Sequence, residues 1–211
     1  MPHQNRVDPF GNLYATPERG ALLGNRGCLH DDAGQIRKAF ARKAWVTCRL
    51  EWKGIQRMVF SPGRYTELFF LDEATALAAG HRPCNDCRSE AYSAFKEAWQ
   101  ATQAGGAFVK AEVMDNQIHA ERISASKGKR TFSAQLGDLP DGVMVVEPEH
   151  PKEPRLLWRG KLWRWSFRGY DDPLEAEHGL AVDVLTPASV CAVLANGYPV
   201  TVHASLGGVR S

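Results

Sequence analysis

Cys84 and Cys87, separated by two residues, are the pair in this sequence best suited to chemistry. They stand just before a segment, from Arg88 to Gln103, whose apolar residues recur at helical spacing. At the start of a helix, unpaired backbone N–H groups and the positive end of the helix dipole lower the pKa of a thiol. Two readily ionised thiols at this spacing can bind one metal ion or form a redox pair.

The residues around the pair favour a metal ion. A strand at Leu68-Phe69-Phe70, an alanine-rich helix from Asp72 to Ala79 and the loop Gly-His-Arg-Pro-Cys precede the second cysteine. The run from 68 to 88 resembles the N-terminal metal-binding domain of the Ada DNA methylphosphotriester repair proteins, with His81 in the place of an aromatic residue. The resemblance implies a zinc site and an association with DNA.

The resemblance does not include the methyl-accepting chemistry of that family. The family supplies two further cysteines upstream, spaced C-x-x-x-C, whereas residues 54–65 of this chain contain neither Cys nor His. Thioredoxin-type redox chemistry fits less well than metal binding, because that motif follows a core strand directly and this one follows a helix and a loop. Inert buried thiols are the remaining alternative.

A zinc site needs ligands beyond the C-x-x-C pair. Cys48 lies in a predicted strand, 45–52, which would turn at Lys53-Gly54 and return over 55–60. Strand alternation also allows Cys48 to be an ordinary core cysteine. His30 lies in a glycine- and asparagine-rich loop, two residues after Cys28.

We therefore predict Cys84, Cys87, Cys48 and His30 as the metal ligands. Cys28 and His119 are the alternatives for the third and fourth positions. Cys191 falls in an apolar helical segment and is predicted to be a core residue.

Composition limits the class of protein. A chain of 211 residues with 44% hydrophobic content can bury a substantial core. There is no apolar run of about eighteen residues, so we expect no membrane span, and the first eight residues lack the apolar segment of a signal peptide. Five cysteines, an odd number with one C-x-x-C, fit the reducing cytoplasm better than a disulfide framework.

The pattern of the chain predicts an α+β fold. An Ada-like zinc-binding region, 1–106, would be followed by a β-rich region, 107–211, in two domains or one continuous domain. Residues 1–29 are predicted to be irregular, and Asp31 or Asp32 to cap a helix from Ala33 to Ala44. Further predicted elements are strands at 108–113, 143–147, 155–158, 162–167 and 180–185, a helix at 187–195 and a strand at 200–203.

Two basic segments indicate a nucleic-acid partner, most plausibly DNA. Cations interleaved with aromatic residues suit single strands, since phosphates meet the charges and bases stack on the rings. The alternative is a solvated helix face and a strand with core aromatics. The candidate residues are Arg37, Lys38 and Arg42 in the first segment and Arg159, Lys161 and Arg164, among Trp158, Trp163, Trp165 and Phe167, in the second.

A second possible chemical centre joins two polar segments. If 115–123 is helical, Asp115 and His119 share a face and Arg122 is adjacent. A histidine with a carboxylate can act as a general base, and two arginines can hold a phosphate. Turn capping and surface ion pairs are the structural alternative. The candidate residues for such a phosphodiester hydrolase are His30, Asp115, His119, Glu121, Arg122 and Arg26.

The sequence as a whole therefore predicts a zinc-containing, nucleic-acid-binding α+β protein. A metal-dependent phosphodiesterase or nuclease is one alternative, and a thiol redox or metal-sensing module built on Cys84 and Cys87 is another.

Overall fold

The computed structural model describes residues 2–54, 58–126 and 128–207. Within these residues the chain forms two six-stranded β-sheets and four α-helices, which confirms the predicted α+β class. None of the helices in this part of the chain combines the length and apolarity needed to cross a membrane.

The first sheet is built from residues 4–83. Its strands are β1 (Gln4–Val7), β2 (Leu13–Ala15), β3 (Leu22–Asn25), β4 (Val46–Cys48), β5 (Leu68–Phe70) and β6 (Arg82–Pro83). They lie in the order β2-β1-β5-β3-β4-β6, with β1–β5 and β4–β6 parallel and the other pairs antiparallel. The prediction that the first 29 residues are irregular is therefore wrong, since they supply three strands.

The second sheet is antiparallel throughout and follows three of the helices. The helices are α1 (Glu73–Ala78), α2 (Ser89–Gln103) and α3 (Ala111–Arg122). The strands are β7 (Phe132–Gln135), β8 (Met144–Val146), β9 (Arg155–Trp158), β10 (Lys161–Ser166), β11 (Gly169–Glu175) and β12 (Ala181–Val184), after which comes α4 (Ala188–Ala195). The strand order is β11-β10-β9-β8-β12-β7.

The largest core cluster joins the helices to the second sheet. Phe95 and Trp99 of α2 pack in it with Ile118 of α3 and with Val145 and Val184 of the sheet. Packing therefore continues across position 106, where the sequence predicts a change of region. The division into two domains stays a prediction.

The helix predicted from Ala33 to Ala44 does not form. Asp31 accepts hydrogen bonds from the backbone N–H groups of Ala33 and Gln35 at 3.1 and 2.9 Å, and its own N–H donates to Gln35 O at 3.0 Å. Gly34 has φ +74°, a left-handed conformation that glycine adopts without strain. The side chain of Asp31 thus closes a turn in which the chain reverses, and no helix follows it.

Three predicted strands also differ from the structure. The strand at 108–113 is wrong, because α3 begins at Ala111 and buries Met114 and Ile118 at helical spacing. Residues 200–203 form no strand, since the N–H of Thr201 donates to the Glu73 carboxylate and the N–H of His203 to the Asp72 carboxylate. For the predicted return strand, residues 55–57 lie outside the described residues and 58–60 form no strand.

Candidate metal centre

Parallel pairing of β4 with β6 places Cys48 beside Cys84. Thr47 is the register partner of Pro83, and Cys84 N donates to Thr47 O at 2.9 Å. Cys48 ends β4 and Cys84 directly follows β6. Because the two strands run in the same direction, their carboxyl ends bring both thiols to one edge of the sheet.

A tight turn then returns Cys87 to the same place. Arg88 N donates to Cys84 O at 3.1 Å, and α2 begins at Ser89. The backbone N–H of Arg49, just after β4, donates to Cys87 Sγ at 3.4 Å. This contact holds the Cys87 sulfur beside the end of β4, next to Cys48.

The three sulfur atoms lie close enough to share one metal ion. The Sγ atoms of Cys48, Cys84 and Cys87 all lie within 4.8 Å of one another. In a tetrahedral site with Zn–S bonds of about 2.3 Å, neighbouring sulfurs are roughly 3.8 Å apart, so small side-chain movements suffice for binding. Cys87 is 4% exposed, whereas Cys48 and Cys84 are half-buried. The group therefore has a buried base and a side that solvent reaches.

The thiols influence one another electrostatically. The hydrogen bond from Cys48, helped by backbone N–H groups of Cys87 and Asp86, lowers the pKa of Cys84 to about 5. The same bond, together with burial and the negative charges of its neighbours, raises the pKa of Cys48 far above its ordinary value. Several thiolates at this spacing repel one another, and a bound cation relieves that repulsion.

Arg88 fixes the turn to the rest of the fold. Its guanidinium donates to Thr47 Oγ1 at 2.7 Å and to the Glu73 carboxylate at 2.6 Å. Glu73 also accepts hydrogen bonds from Tyr198 and Thr201, at 2.6 and 3.1 Å. The turn that carries Cys84 and Cys87 is therefore held to β4, to α1 and to the C-terminal segment.

The structure does not place His30 with the cysteines. Its Nδ1 lies 2.7 Å from Thr66 Oγ1 and its Nε2 lies 3.3 Å from Ser61 O, while its ring stacks on Phe60. The prediction of His30 as fourth ligand is corrected accordingly, because both ring nitrogens are engaged elsewhere. In the described part of the chain no fourth Cys, His, Asp or Glu joins the three-cysteine group.

The two alternative ligands lie elsewhere as well. Cys28 Sγ contacts His30 O at 3.5 Å, and His119 Nδ1 lies 2.9 Å from Arg122 Nη2. Cys191 is buried in α4, where its thiol contacts Thr186 O at 3.5 Å. All five cysteines are free thiols in the structure.

The hydrolase candidates do not assemble into one catalytic group. Asp115 is engaged by Arg82 through two bonds of 2.8 and 2.9 Å, and Glu121 accepts from the Ser189 hydroxyl at 2.6 Å. His119 thus has no carboxylate partner among the predicted acids, and His30 has different neighbours altogether. The helix that places Asp115 and His119 one turn apart is present as α3.

Two of those candidates do come together, as the sequence suggested for a phosphate-holding pair. The guanidinium carbons of Arg26 and Arg122 lie 4.2 and 3.6 Å from the centre of the Trp45 ring. The His81 ring lies 5.1 Å from the Trp45 ring, and burial together with the nearby charges of Arg122 and Arg26 lowers the pKa of Lys129. We call Arg26, His81, Arg122 and Lys129 the Trp45 cation cluster. Nothing in the sequence spacing of Trp45, His81 and Lys129 links them to the two arginines, so their membership could not be predicted from the sequence.

The basic residues of the C-terminal half are largely neutralised by acids. Lys161 pairs with Glu175 at 3.0 Å and Arg164 with Asp171 at 2.9 Å. Arg159 lies over the Trp158 ring. Of the predicted aromatic set, Trp165 is buried in the core and its Nε1 donates to Thr75. This segment therefore resembles the structural alternative, a strand with core aromatics and surface ion pairs.

The first basic segment is more exposed. Arg37 pairs with Asp31 at 2.6 Å, but Lys38 and Arg42 form no ion pair with any described residue and are exposed. The helix expected to carry them is absent. They lie instead on the irregular chain that leads into β4 and its cysteine.

Comparisons of this chain with protein-family models, with curated proteins and with solved structures found no match. The resemblance to the Ada family therefore rests on residues 68–88 alone.

Proposed function

We propose that this protein binds zinc through Cys48, Cys84 and Cys87. The observation that carries the proposal is the convergence of three sulfur atoms within 4.8 Å from two segments distant in sequence. Thiolates are soft ligands that select zinc among the common divalent metals of proteins, and zinc has no geometric preference that this group would violate. A dithiol redox pair would not need the third cysteine.

Three protein ligands support a site with one open position. Structural zinc sites usually have four protein ligands, whereas sites with three leave the fourth to a ligand from outside. Cys48 and Cys84 are half-buried, so the open side of the group faces solvent. We infer a zinc centre that stabilises the junction of β4, β6 and α2 and also accepts an exogenous ligand.

Metal analysis of the purified chain tests this proposal. We expect about one zinc per chain in protein prepared without added metal, retained on dialysis, because several thiolates hold zinc tightly at neutral pH. Cys28→Ser is the matched control and is expected to keep the metal. Metal-free wild-type protein that also fails to take up added zinc would contradict the proposal.

A nucleic-acid contact beside the centre is a second candidate function. Arg49 and Lys53 are exposed, stand one and five residues after Cys48, and lie 5.9 and 5.2 Å from the Trp52 ring. Neither forms an ion pair with a described residue. Unpaired cations around a partly exposed aromatic ring suit phosphates and stacked bases. The proposed contact surface consists of Lys38, Arg42, Arg49, Trp52 and Lys53.

Charge removal on this surface should weaken binding to single-stranded DNA. Changing Arg42, Arg49 and Lys53 to Gln together removes up to three phosphate contacts. The negative slope of log K against log salt should therefore become shallower by about 2. The matched control changes Arg159, Lys161 and Arg164 to Gln, and we expect a smaller effect because Lys161 and Arg164 are paired with acids. No binding by the wild type at low salt would exclude this function.

A further inference from the structure

Arg26, His81 and Arg122, from distant parts of the chain, lie around Trp45, and Lys129 lies close enough to feel the charges of the two arginines. Arg26 follows β3, His81 lies between α1 and β6, Arg122 ends α3, and Lys129 lies in the loop beyond it. Arg26, His81 and Arg122 are 1%, 0% and 2% exposed. Burying cations away from water is costly unless they are paired or hydrogen-bonded.

Part of this cost is met by backbone carbonyl groups. Arg122 donates to Gly80 O and to Lys43 O, both at 2.7 Å. Arg26 Nη1 donates to Gly11 O at 2.9 Å, and Lys129 Nζ donates to Ala78 O. Several N–H donors of the Trp45 cation cluster thus have backbone carbonyl acceptors. The donors without an acceptor indicate which kind of ligand the cluster could bind.

Three buried nitrogen atoms of the cluster have no hydrogen-bond partner among the residues that the structure describes. They are Arg26 Nη2, Arg122 Nε and His81 Nδ1. Arg26 Nε donates to His81 Nε2 at 3.2 Å, so Nε2 is the acceptor of the imidazole and Nδ1 carries its hydrogen. All three atoms are therefore N–H donors, and a ligand that fits them must offer acceptors only.

The charges near the cluster do not balance. The carboxylates whose charge reaches it are Asp8 and Asp115, and Asp115 is already held by Arg82. When all four basic groups are protonated, Arg26, Arg82, Arg122 and Lys129 face these two carboxylates, an excess of two positive charges. Burial, followed by the charges of Arg122 and Arg26, lowers the pKa of Lys129 to about 7, so without a bound anion Lys129 is only partly protonated at neutral pH. Burial likewise raises the pKa of Asp8.

We propose that the Trp45 cation cluster binds a small doubly charged inorganic oxyanion, phosphate or sulfate. Such an ion accepts hydrogen bonds at several oxygens, matches the fork of an arginine and neutralises the excess of two charges. A metal ion is unsuitable, since the free atoms are all donors. The burial of Arg26, His81 and Arg122 favours a free ion over the phosphate group of a larger molecule.

Thermal unfolding of the metal-loaded protein tests the site. Phosphate and sulfate, titrated at constant ionic strength and pH against sodium chloride, are expected to raise Tm, because a ligand bound only by the folded chain stabilises it by mass action. Above Kd the rise should follow the logarithm of the anion concentration. Arg122→Met should weaken the apparent affinity about tenfold or more, the effect of one lost charge-assisted hydrogen bond. Arg130→Met is the matched control and should not change the affinity, because the exposed Arg130 guanidinium donates to Ala120 O and is not part of the cluster.

A replacement variant and a second ligand complete the test. If Arg122→Met does not fold, Lys129→Met takes its place and should also weaken the apparent affinity. Broadening of the phosphorus-31 line of phosphate by the wild-type protein measures phosphate binding directly. Glycerol phosphate should bind at least about tenfold more weakly than inorganic phosphate, because its ester group has no place in a buried site. A wild type that responds alike to phosphate, sulfate and chloride, equal affinity in wild type and variants, or equal binding of glycerol phosphate would overturn the proposal.

Discussion

Cys87→Ser is expected to lose most of its bound metal and to lower the free energy of unfolding by several kcal/mol. Cys87 is the most buried of the three cysteines, and its sulfur joins the start of α2 to the backbone after β4. Metal-binding energy becomes folding energy when the site forms only in the folded chain, and zinc–thiolate sites supply about 10–16 kcal/mol in zinc-finger peptides. Metal content and urea unfolding of the variant measure both effects.

Cys28→Ser is the matched control for this loss. It also removes a half-buried thiol from the region of the first sheet, but the sulfur of Cys28 lies outside the three-cysteine group and contacts the backbone oxygen of His30. We expect its metal content to equal that of the wild type and its stability to fall far less. Full metal content and unchanged melting of Cys87→Ser would contradict the assignment of this residue as a ligand.

Glu73→Ala is expected to destabilise the protein by about 3–5 kcal/mol, the usual effect of leaving one partner of a buried ion pair uncompensated. The carboxylate is 1% exposed and accepts from Arg88, Tyr198 and Thr201. Its loss leaves the Arg88 guanidinium, whose side chain is 10% exposed, without its carboxylate partner. It also removes the hydrogen bonds by which Tyr198 and Thr201 hold the C-terminal segment to α1. Denaturant unfolding at neutral pH measures the change.

Glu90→Ala provides the comparison for that experiment. Glu90 lies in the first turn of α2 and is exposed, so its removal is expected to change stability by no more than about 1 kcal/mol. Equal and small effects in both variants would show that Glu73 does not hold the two segments together.

The elements predicted correctly are those with strong local patterns. The strands at 155–158 and 180–185, for example, are present as β9 and β12, and the helix at 187–195 as α4. The short strands β1 to β3 were missed because three or four residues among Gly, Pro and Asn show no alternation. They exist because partners far along the chain, such as β5, supply their hydrogen bonds.

The candidate metal site was predictable in part for a similar reason. The C-x-x-C pair is a local motif, and Cys48 joins it through the pairing of β4 with β6. His30 was a poor choice because Thr66, distant in sequence, engages its ring. Arg26 and Arg122 are predicted as a phosphate-holding pair, but the Trp45 ring that lies beside both depends on tertiary packing that no spacing in the sequence encodes.

X-ray absorption at the zinc edge tests the central claim most directly, since it counts the atoms bound to the metal in the intact protein. We expect three sulfur atoms at about 2.3 Å and one lighter nitrogen or oxygen atom near 2.0–2.2 Å. Loss of one sulfur atom from the zinc shell in Cys48→Ser would show that Cys48 is a zinc ligand. A shell without sulfur, or one that keeps three sulfurs in Cys48→Ser, would contradict a centre built from Cys48, Cys84 and Cys87.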